Sequence, residues 1–291
     1  MNIIFKSGGA SLKIISSNEL GEKILATKFF YDYIPGLVMS KAAMVSDGEV
    51  ELYENSKFNF EFKDGVGEIH FSLGKNLSMM DLVTLIDYLL EYFRQKMGVY
   101  CLHGSAISIK GNGVWFMGPI SGLGKTTLAL NMCLRNDCKF IGDEKILLDK
   151  KGNLIEGIKN INYNKELLTK SVAVNFDGMV EKDIQNVLEL EKNLVRLKLI
   201  ILPILMRGAG FIEIDKWKIE KSSFHIYEQL SLKIRAVSRR LNNFVVPIQS
   251  IDNDELSQKR SDFANEIVKN VEVYMLKGDE KSVAQKILEL V

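Results

Sequence analysis

The residues of this 291-residue chain best suited to chemistry lie in a glycine-rich turn that ends in Lys-Thr. The stretch reads Gly118-Pro-Ile-Ser-Gly-Leu-Gly-Lys-Thr-Thr127, between the apolar run Val114–Met117 and an apolar helical pattern that begins at Leu128. Strand, glycine loop, Lys-Thr and helix is the order of a phosphate-binding P-loop. Glycines let such a loop curl so that successive backbone N–H groups face phosphate oxygens. The following helix adds its unpaired N–H groups and the positive end of its dipole. The residues expected to line a nucleotide are Gly118, Ser121, Gly122, Leu123, Gly124, Lys125, Thr126 and Thr127. Lys125 brings charge for the β- and γ-phosphates, and Thr126 a hydroxyl for the Mg²⁺ that accompanies a nucleoside triphosphate such as ATP. The consensus Gly-x-x-x-x-Gly-Lys is one residue shorter than this stretch, where five residues separate Gly118 from Gly124. Because Ser121-Gly-Leu-Gly-Lys-Thr126 is intact, the extra residue falls near Pro119 or Ile120, as a bulge where the strand leaves for the loop. A glycine-rich turn that holds no phosphate is the plainer alternative.

A second constellation follows one helix later. Cys138-Lys-Phe-Ile141 reads as a short strand that ends in Gly142-Asp143-Glu144. A carboxylate at the end of a core strand beside the P-loop strand is where Mg²⁺ ligands or bases lie in such folds. Alone, Asp143-Glu144 would read equally well as a solvated turn. His103-Gly104 precedes the P-loop by one short β-unit. His70 falls on the opposite face from Ile69 and Phe71, which suits a surface residue. His225 has no second metal-type residue at helical spacing, which suits a surface or capping residue.

These groups need elements to position them. Leu12–Ile15 and Ile24–Thr27 suggest strands. Val50 and Leu52, Phe58, Phe60 and Phe62, then Ile69, Phe71 and Leu73 alternate around Asp64-Gly65, the pattern of a hairpin with one buried face. Ser78 caps a helix over about Met79 to Met97, with Gly98 past its end. Val99–Leu102 and Ala106–Ile109 read as strands, and Asn112-Gly113 as the turn into Val114–Met117. Thr126 to Leu134 is helical, and Asp149 to Asn153 turns into Leu154-Ile155. Ser171–Val174, Leu197–Met206, Phe211–Ile214 and Trp217–Ile219 read as strands, and Glu181 to Lys192 as a helix. Ser222 or Ser223 caps a helix to about Leu241, with Lys233, Arg235, Arg239 and Arg240 on a solvated face. Ser261 to Asn270 is helical, Val271–Met275 a strand and Lys281 to Leu290 a closing helix.

Composition narrows the classes. Hydrophobic residues are 46% and charged residues 26%, as in ordinary globular proteins. A net charge of +1 gives no electrostatic case for nucleic acid or an anionic membrane. No apolar run approaches the roughly 20 residues of a membrane span, and Met1–Lys6 lacks the character of a signal peptide. Cys101, Cys133 and Cys138 lack metal-ligand spacing and read as reduced core thiols of a cytoplasmic protein.

Four segments in order, Leu102-His-Gly-Ser-Ala-Ile107, Gly113-Val-Trp-Phe-Met-Gly118, Ser121-Gly-Leu-Gly-Lys-Thr126 and Phe140-Ile-Gly-Asp-Glu144, resemble the HPr kinase/phosphorylase-like group of bacterial and archaeal kinases. Those kinases share a P-loop fold with ATP-dependent phosphoenolpyruvate carboxykinases. The likeness covers roughly residues 99–150, is faint around Tyr274–Asp279, and is absent over 1–95. It implies that Asp143 is the catalytic aspartate, accepting the proton of a substrate hydroxyl as that oxygen attacks the γ-phosphate. Lys125 would clamp phosphate, Thr126 would bind Mg²⁺, and His103 would orient the aspartate or a phosphate. Glu144 or Glu156 is suggested as a further metal ligand, and Arg207 as the family's downstream arginine. Lys125 or Mg²⁺ beside Asp143 should keep its pKa low. The family's C-terminal signature is missing, which argues against HPr itself as the acceptor. The expected acceptor is an alcohol: serine or threonine in a peptide or small protein, or a free small molecule. Members of the group often form homo-oligomers, although neither heptads nor an exposed apolar stripe signals this here.

The expected fold is α/β. A P-loop kinase core with a mixed sheet (residues 96–291) follows a smaller mixed α/β domain rich in antiparallel strands (residues 1–95), which would recognise the acceptor. Two other readings use the same loop: a nucleotide hydrolase or switch with water as acceptor, and a non-catalytic nucleotide-binding partner module.

Overall fold

The computed structural model describes residues 1–41, 45–54, 57–118, 122–159, 161, 188–235, 239–241, 244–246 and 248–291. The fold is α/β, with two mixed sheets of six and eight strands, a two-stranded ribbon and, among the described residues, seven helices. The chain divides into two compact units. One joins Met1–Tyr100 to Ser231–Lys259, and the other joins Cys101–Leu230 to Arg260–Val291. Sequence alone suggested a single cut at 95/96; the units add a return of the chain, over 231–259, to the first.

The first unit opens with β1 (Asn2–Ser7), β2 (Ala10–Ile15), α1 (Asn18–Ala26), α2 (Phe29–Tyr33), β3 (Val38–Ser40), β4 (Gly48–Glu54), β5 (Asn59–Lys63), β6 (Val66–Phe71) and α3 (Met79–Lys96). Its sheet runs β3-β1-β2-β4-β6-β5. The β1/β2, β1/β3 and β5/β6 pairs are antiparallel, and β2/β4 and β4/β6 are parallel. Val50, Leu52, Phe60, Phe62, Ile69 and Phe71 are buried, as the period-two spacing requires. The hairpin turns at Asp64 and Gly65, with φ of 53° and 91°. Ser78 and Asp81 form a reciprocal capping box at the start of α3. Residues 24–26, expected as strand, belong to α1, because Ser17 caps the helix and Leu20 and Ile24 fall on one buried face.

The boundary falls within β7 (Val99–Leu102), and the second unit goes on with β8 (Gly104–Ile109), β9 (Asn112–Met117), α4 (Lys125–Arg135), β10 (Cys138–Asp149) and β11 (Asn153–Ile158). It continues with β12 (Val195–Leu205), β13 (Ile212–Lys216) and α5 (Ile219–Ser231). The chain then returns to the first unit with the ribbon of β14 (Arg239–Leu241) and β15 (Phe244–Val246), crosses back within α6 (Asp254–Ile267), and ends in the second with β16 (Glu272–Gly278) and α7 (Glu280–Leu290). The larger sheet runs β11-β10-β8-β9-β12-β16-β13, with β7 as the eighth strand against β10, and β11 also pairs with β12, so five of its strands close on themselves. Residues of α4 and α7, among them Leu128, Met132, Val283 and Ile287, share one core with Ile107, Phe116, Phe140, Ile201 and Leu276 of the strands.

Several expected boundaries move. The β8/β9 turn is Lys110-Gly111, with φ of 51° and 82°, and Asn112 already pairs with Ile109; only Lys110-Gly111 takes the left-handed backbone a two-residue turn needs. The strand expected at Cys138–Ile141 runs on through Asp143-Glu144 to Asp149, so these acids lie within a strand. Trp217 extends the ladder by one bond, to the Val273 carbonyl at 2.9 Å, and α5 then starts at Ile219, where a strand was expected. Ser222 lies inside α5, its hydroxyl returned to the Lys218 carbonyl at 2.9 Å, so it is no cap. The helix stops at Ser231, not Leu241, because the chain leaves to bury Ile234 in the first unit's core. Arg239 and Arg240 lie in β14. Residues 188–192 are not helical; Phe140 exchanges backbone bonds with Glu189 and Glu191 there, at 2.7 and 2.9 Å. The expected strand at 171–174, residues 181–187 and the extra loop residue at 119–120 lie outside the described residues.

Candidate functional site

The glycine loop leaves the carboxyl end of β9 and enters α4, whose N-cap is Gly124 at φ 94° with no side-chain cap. That backbone belongs to glycine, and space requires it too. A Cβ on Gly124 would meet Leu205 at 2.5 Å. The Leu123 carbonyl accepts the Leu205 N–H at 3.2 Å. The end of β12, parallel to β9, therefore forms one wall of the loop. Lys125 opens α4 and is buried, and burial pulls its ammonium below the usual lysine range against the opposing pull of Glu144 and Asp143. Both carboxylates therefore act electrostatically on the loop lysine.

Asp143 reaches the loop from β10. Its side chain is 1% exposed. Thr126 Oγ1 lies 3.0 Å from both carboxylate oxygens, and the buried Ser105 hydroxyl of β8 donates a close hydrogen bond to Oδ1. Register explains the meeting. Ser105 faces Phe116 on β9, and Gly142 faces Ala106 on β8, with an irregularity after Phe140. Gly142 also crosses Gly157 of β11 so closely that a Cβ on Gly142 would meet the Gly157 Cα at 2.6 Å. Glu144 then adopts φ 63°, a left-handed conformation that is costly for a residue with a Cβ and that gathers at functional sites. The ladder to β11 breaks its register between Asp143 and Ile146. This bulge lets consecutive acids differ, Asp143 buried and Glu144 exposed.

The expectation of a low Asp143 pKa is corrected. Burial is the largest influence and pushes the group up to about 6, aided by Glu144 and opposed by hydrogen bonds from Ser105, Thr126 and the Glu144 backbone. A buried carboxylate loses more solvation than two hydroxyls restore. His103 meets Glu144, its Nδ1 lying 3.2 Å from the Glu144 carbonyl oxygen and 3.6 Å from the carboxylate. Trp115 Nε1 donates to the His103 carbonyl at 3.3 Å.

The structure thus brings together Gly124, Lys125, Thr126 and Asp143, with Glu144 next along β10 and His103 between β7 and β8. Glu156 pairs with Lys159 at 3.1 Å. Arg207 is exposed in the loop after β12. His70 stacks on Tyr53, ring centroids 4.5 Å apart, and His225 packs on Trp217 at 4.6 Å. The three cysteines are free thiols, and burial raises those of Cys133 and Cys138, the latter to about 11. Ser105 is the site residue that the sequence reading did not single out. Its one signal was a hydroxyl in a mostly apolar strand, a signal that Ser108 shares; every residue of β8 is buried.

Among the described residues no group of three or more His, Cys, Asp or Glu side chains forms a cation cage. Mg²⁺ delivered with a nucleotide needs only one or two protein oxygens beside phosphate and water. Thr126 can donate its proton to Asp143 and still offer lone pairs to a cation, so this hard-oxygen pair fits that ion. Among the described residues no helix is long and apolar enough to cross a membrane. No protein-family model matches the chain, and a search of curated proteins gives no match.

Proposed function

We propose that this chain is an ATP-dependent kinase of the HPr kinase-like type, transferring the γ-phosphate to an alcohol with Asp143 as general base. The observation that carries the reading is the junction of Thr126, Asp143 and Ser105 at the foot of α4, beside buried Lys125. A loop that only turned the chain would have no need to bury a carboxylate against its threonine. The resemblance of residues 99–150 to those kinases supports the same reading.

Each residue has a distinct task. The loop N–H groups and Lys125 hold the triphosphate and offset its charge. Thr126, with Glu144 beside it, would hold the nucleotide's Mg²⁺, which would supply further charge neutralisation. Asp143 receives the proton of the acceptor hydroxyl while that oxygen bonds to the γ-phosphorus and the bond to the β,γ-bridging oxygen breaks, releasing ADP. A carboxylate with its pKa near 6 is still largely ionised at neutral pH and is a stronger base than an exposed aspartate. His103 acts through Glu144, holding the bulge of β10 that aims Asp143. Seryl or threonyl peptides and free small alcohols are the proposed acceptors, in a cytoplasmic setting.

The test offers γ-labelled ATP and Mg²⁺ with a panel of free amino acids, sugars and Ser-containing peptides. Label on an alcohol supports the kinase. Label released only as inorganic phosphate favours a hydrolase, and bound but intact ATP favours a non-catalytic module.

A further inference from the structure

We propose that the loop from Met206 to Phe211 is the nucleoside subsite, where an exposed apolar pair receives the purine ring of the bound triphosphate. This rests on the nucleotide-binding reading of Gly118–Thr127. Strand order sets the direction of the bound triphosphate. Ser105 and Asp143, on β8 and β10, lie to one side of β9, and β12 is its neighbour on the other. With the γ-phosphate turned toward Asp143, the nucleoside end of the triphosphate extends toward β12.

Because β12 is parallel to β9, its carboxyl end reaches the edge from which the glycine loop springs. It touches the loop at three points. Leu205 N–H donates to the Leu123 carbonyl at 3.2 Å. Leu205 fills the space beside Gly124, and a Cβ on Gly118 would meet Leu202 Cδ1 at 3.1 Å. The next residues, Met206-Arg207-Gly208-Ala209-Gly210-Phe211, therefore rise directly from the rim of the phosphate site.

Met206 N–H donates to the Gly278 carbonyl at 2.8 Å, and Ile212 pairs with Gly278. Both ends are thus anchored on one residue, and the loop arches over the end of β16. Met206 is 39% and Phe211 47% exposed. Gly208 and Gly210 have φ of 65° and 63°, and a Cβ on either would meet nothing within 4 Å, so the arch has room to adjust. Stacking on an aromatic ring or a thioether suits any purine. Arg207 is the loop's one polar side chain; stacking itself is indifferent to the purine, so removing the apolar pair should weaken ATP and GTP alike.

The experiment is calorimetric titration of the full chain in Mg²⁺ with ATP, GTP or inorganic tripolyphosphate, for the parent, Phe211→Ala and Met206→Ala. Both side chains are surface groups, and unchanged melting temperatures would verify that the variants fold. The expected result is a Kd for ATP and GTP raised together, roughly 5- to 100-fold in Phe211→Ala, with tripolyphosphate unmoved. ATP affinity unchanged in both variants, or tripolyphosphate weakened equally, would overturn the subsite. So would a loss of self-association in the variants at parental ATP affinity, which would assign the pair to a second copy of the chain. A parent that binds neither ATP nor tripolyphosphate would instead remove the phosphate-loop reading on which the subsite depends.

Discussion

Asp143 carries opposing demands, and its two hydroxyl partners reconcile them. Burial favours its neutral form, while Ser105 and Thr126 favour the carboxylate and fix its direction. Its pKa rises on folding from 3.8 to about 6. A carboxyl whose folded pKa lies above its unfolded value adds stability that is complete below the unfolded value and is lost as pH rises through the folded one. The free protein should therefore lose on the order of 3 kcal/mol from this group between about pH 4 and pH 7. Asp143→Asn should flatten that slope in denaturant titrations at the two pH values, and an unchanged slope would refute the burial argument. Ser105→Ala should lower kcat roughly 10- to 100-fold, the worth of a hydrogen bond to a charged group, while the KM for ATP stays at the parental value. A parallel loss in both constants would mean that Ser105 supports the fold more than the direction of Asp143.

At the scale of elements, the site depends on a strand that does not stay regular. β10 crosses β11 at Gly142 and Gly157, bulges, and passes through a left-handed Glu144. Gly157→Ala would set a Cβ 2.8 Å from the Gly142 Cα and should cost about 1–3 kcal/mol, read as a lower urea midpoint. Glu144→Gly should remove left-handed strain worth roughly 1 kcal/mol and raise that midpoint. Local chemistry made much of the architecture legible in the sequence. Ser78 announced α3, Asp64-Gly65 announced a hairpin, and the glycine loop announced a helix from Thr126, one residue inside the observed start of α4. What stayed hidden depended on distant partners. Glu144 looks like a turn until β11 is known to pair with β10 on either side of it, and Ser105 looks like a filler until Asp143 arrives across the sheet. The end of α5 was illegible because the first unit's core takes Ile234, and no local breaker marks the place.

For the whole molecule, the return of residues 231–259 to the first unit changes what truncation can test. Ile234, Ile248, Ile251 and Leu256 are buried in one core with the β1–β6 sheet and α3. The Tyr88 hydroxyl of α3 lies 3.0 Å from the carbonyls of both Ile234 and Gln249 and accepts the Ile251 N–H at 3.2 Å. Deleting residues 1–95 would strip these side chains of their partners, each worth about 1.5–3 kcal/mol of burial. The truncated chain should aggregate on expression, as measured by the soluble fraction after lysis. A soluble, cooperatively melting product would show that 231–259 does not need the first unit. Acceptor recognition by that unit is therefore better sought with surface variants of the intact chain.

The most direct test of the central claim is a single-turnover measurement with γ-labelled ATP bound to saturation, parent against Asp143→Asn, in the presence of the acceptor that the panel identifies. The account predicts that both proteins hold ATP with similar affinity and that transfer in the variant falls at least ~100-fold, the range of a lost general base. Transfer at the parental rate in the variant would contradict the assignment of Asp143, and with it the mechanism built on that residue.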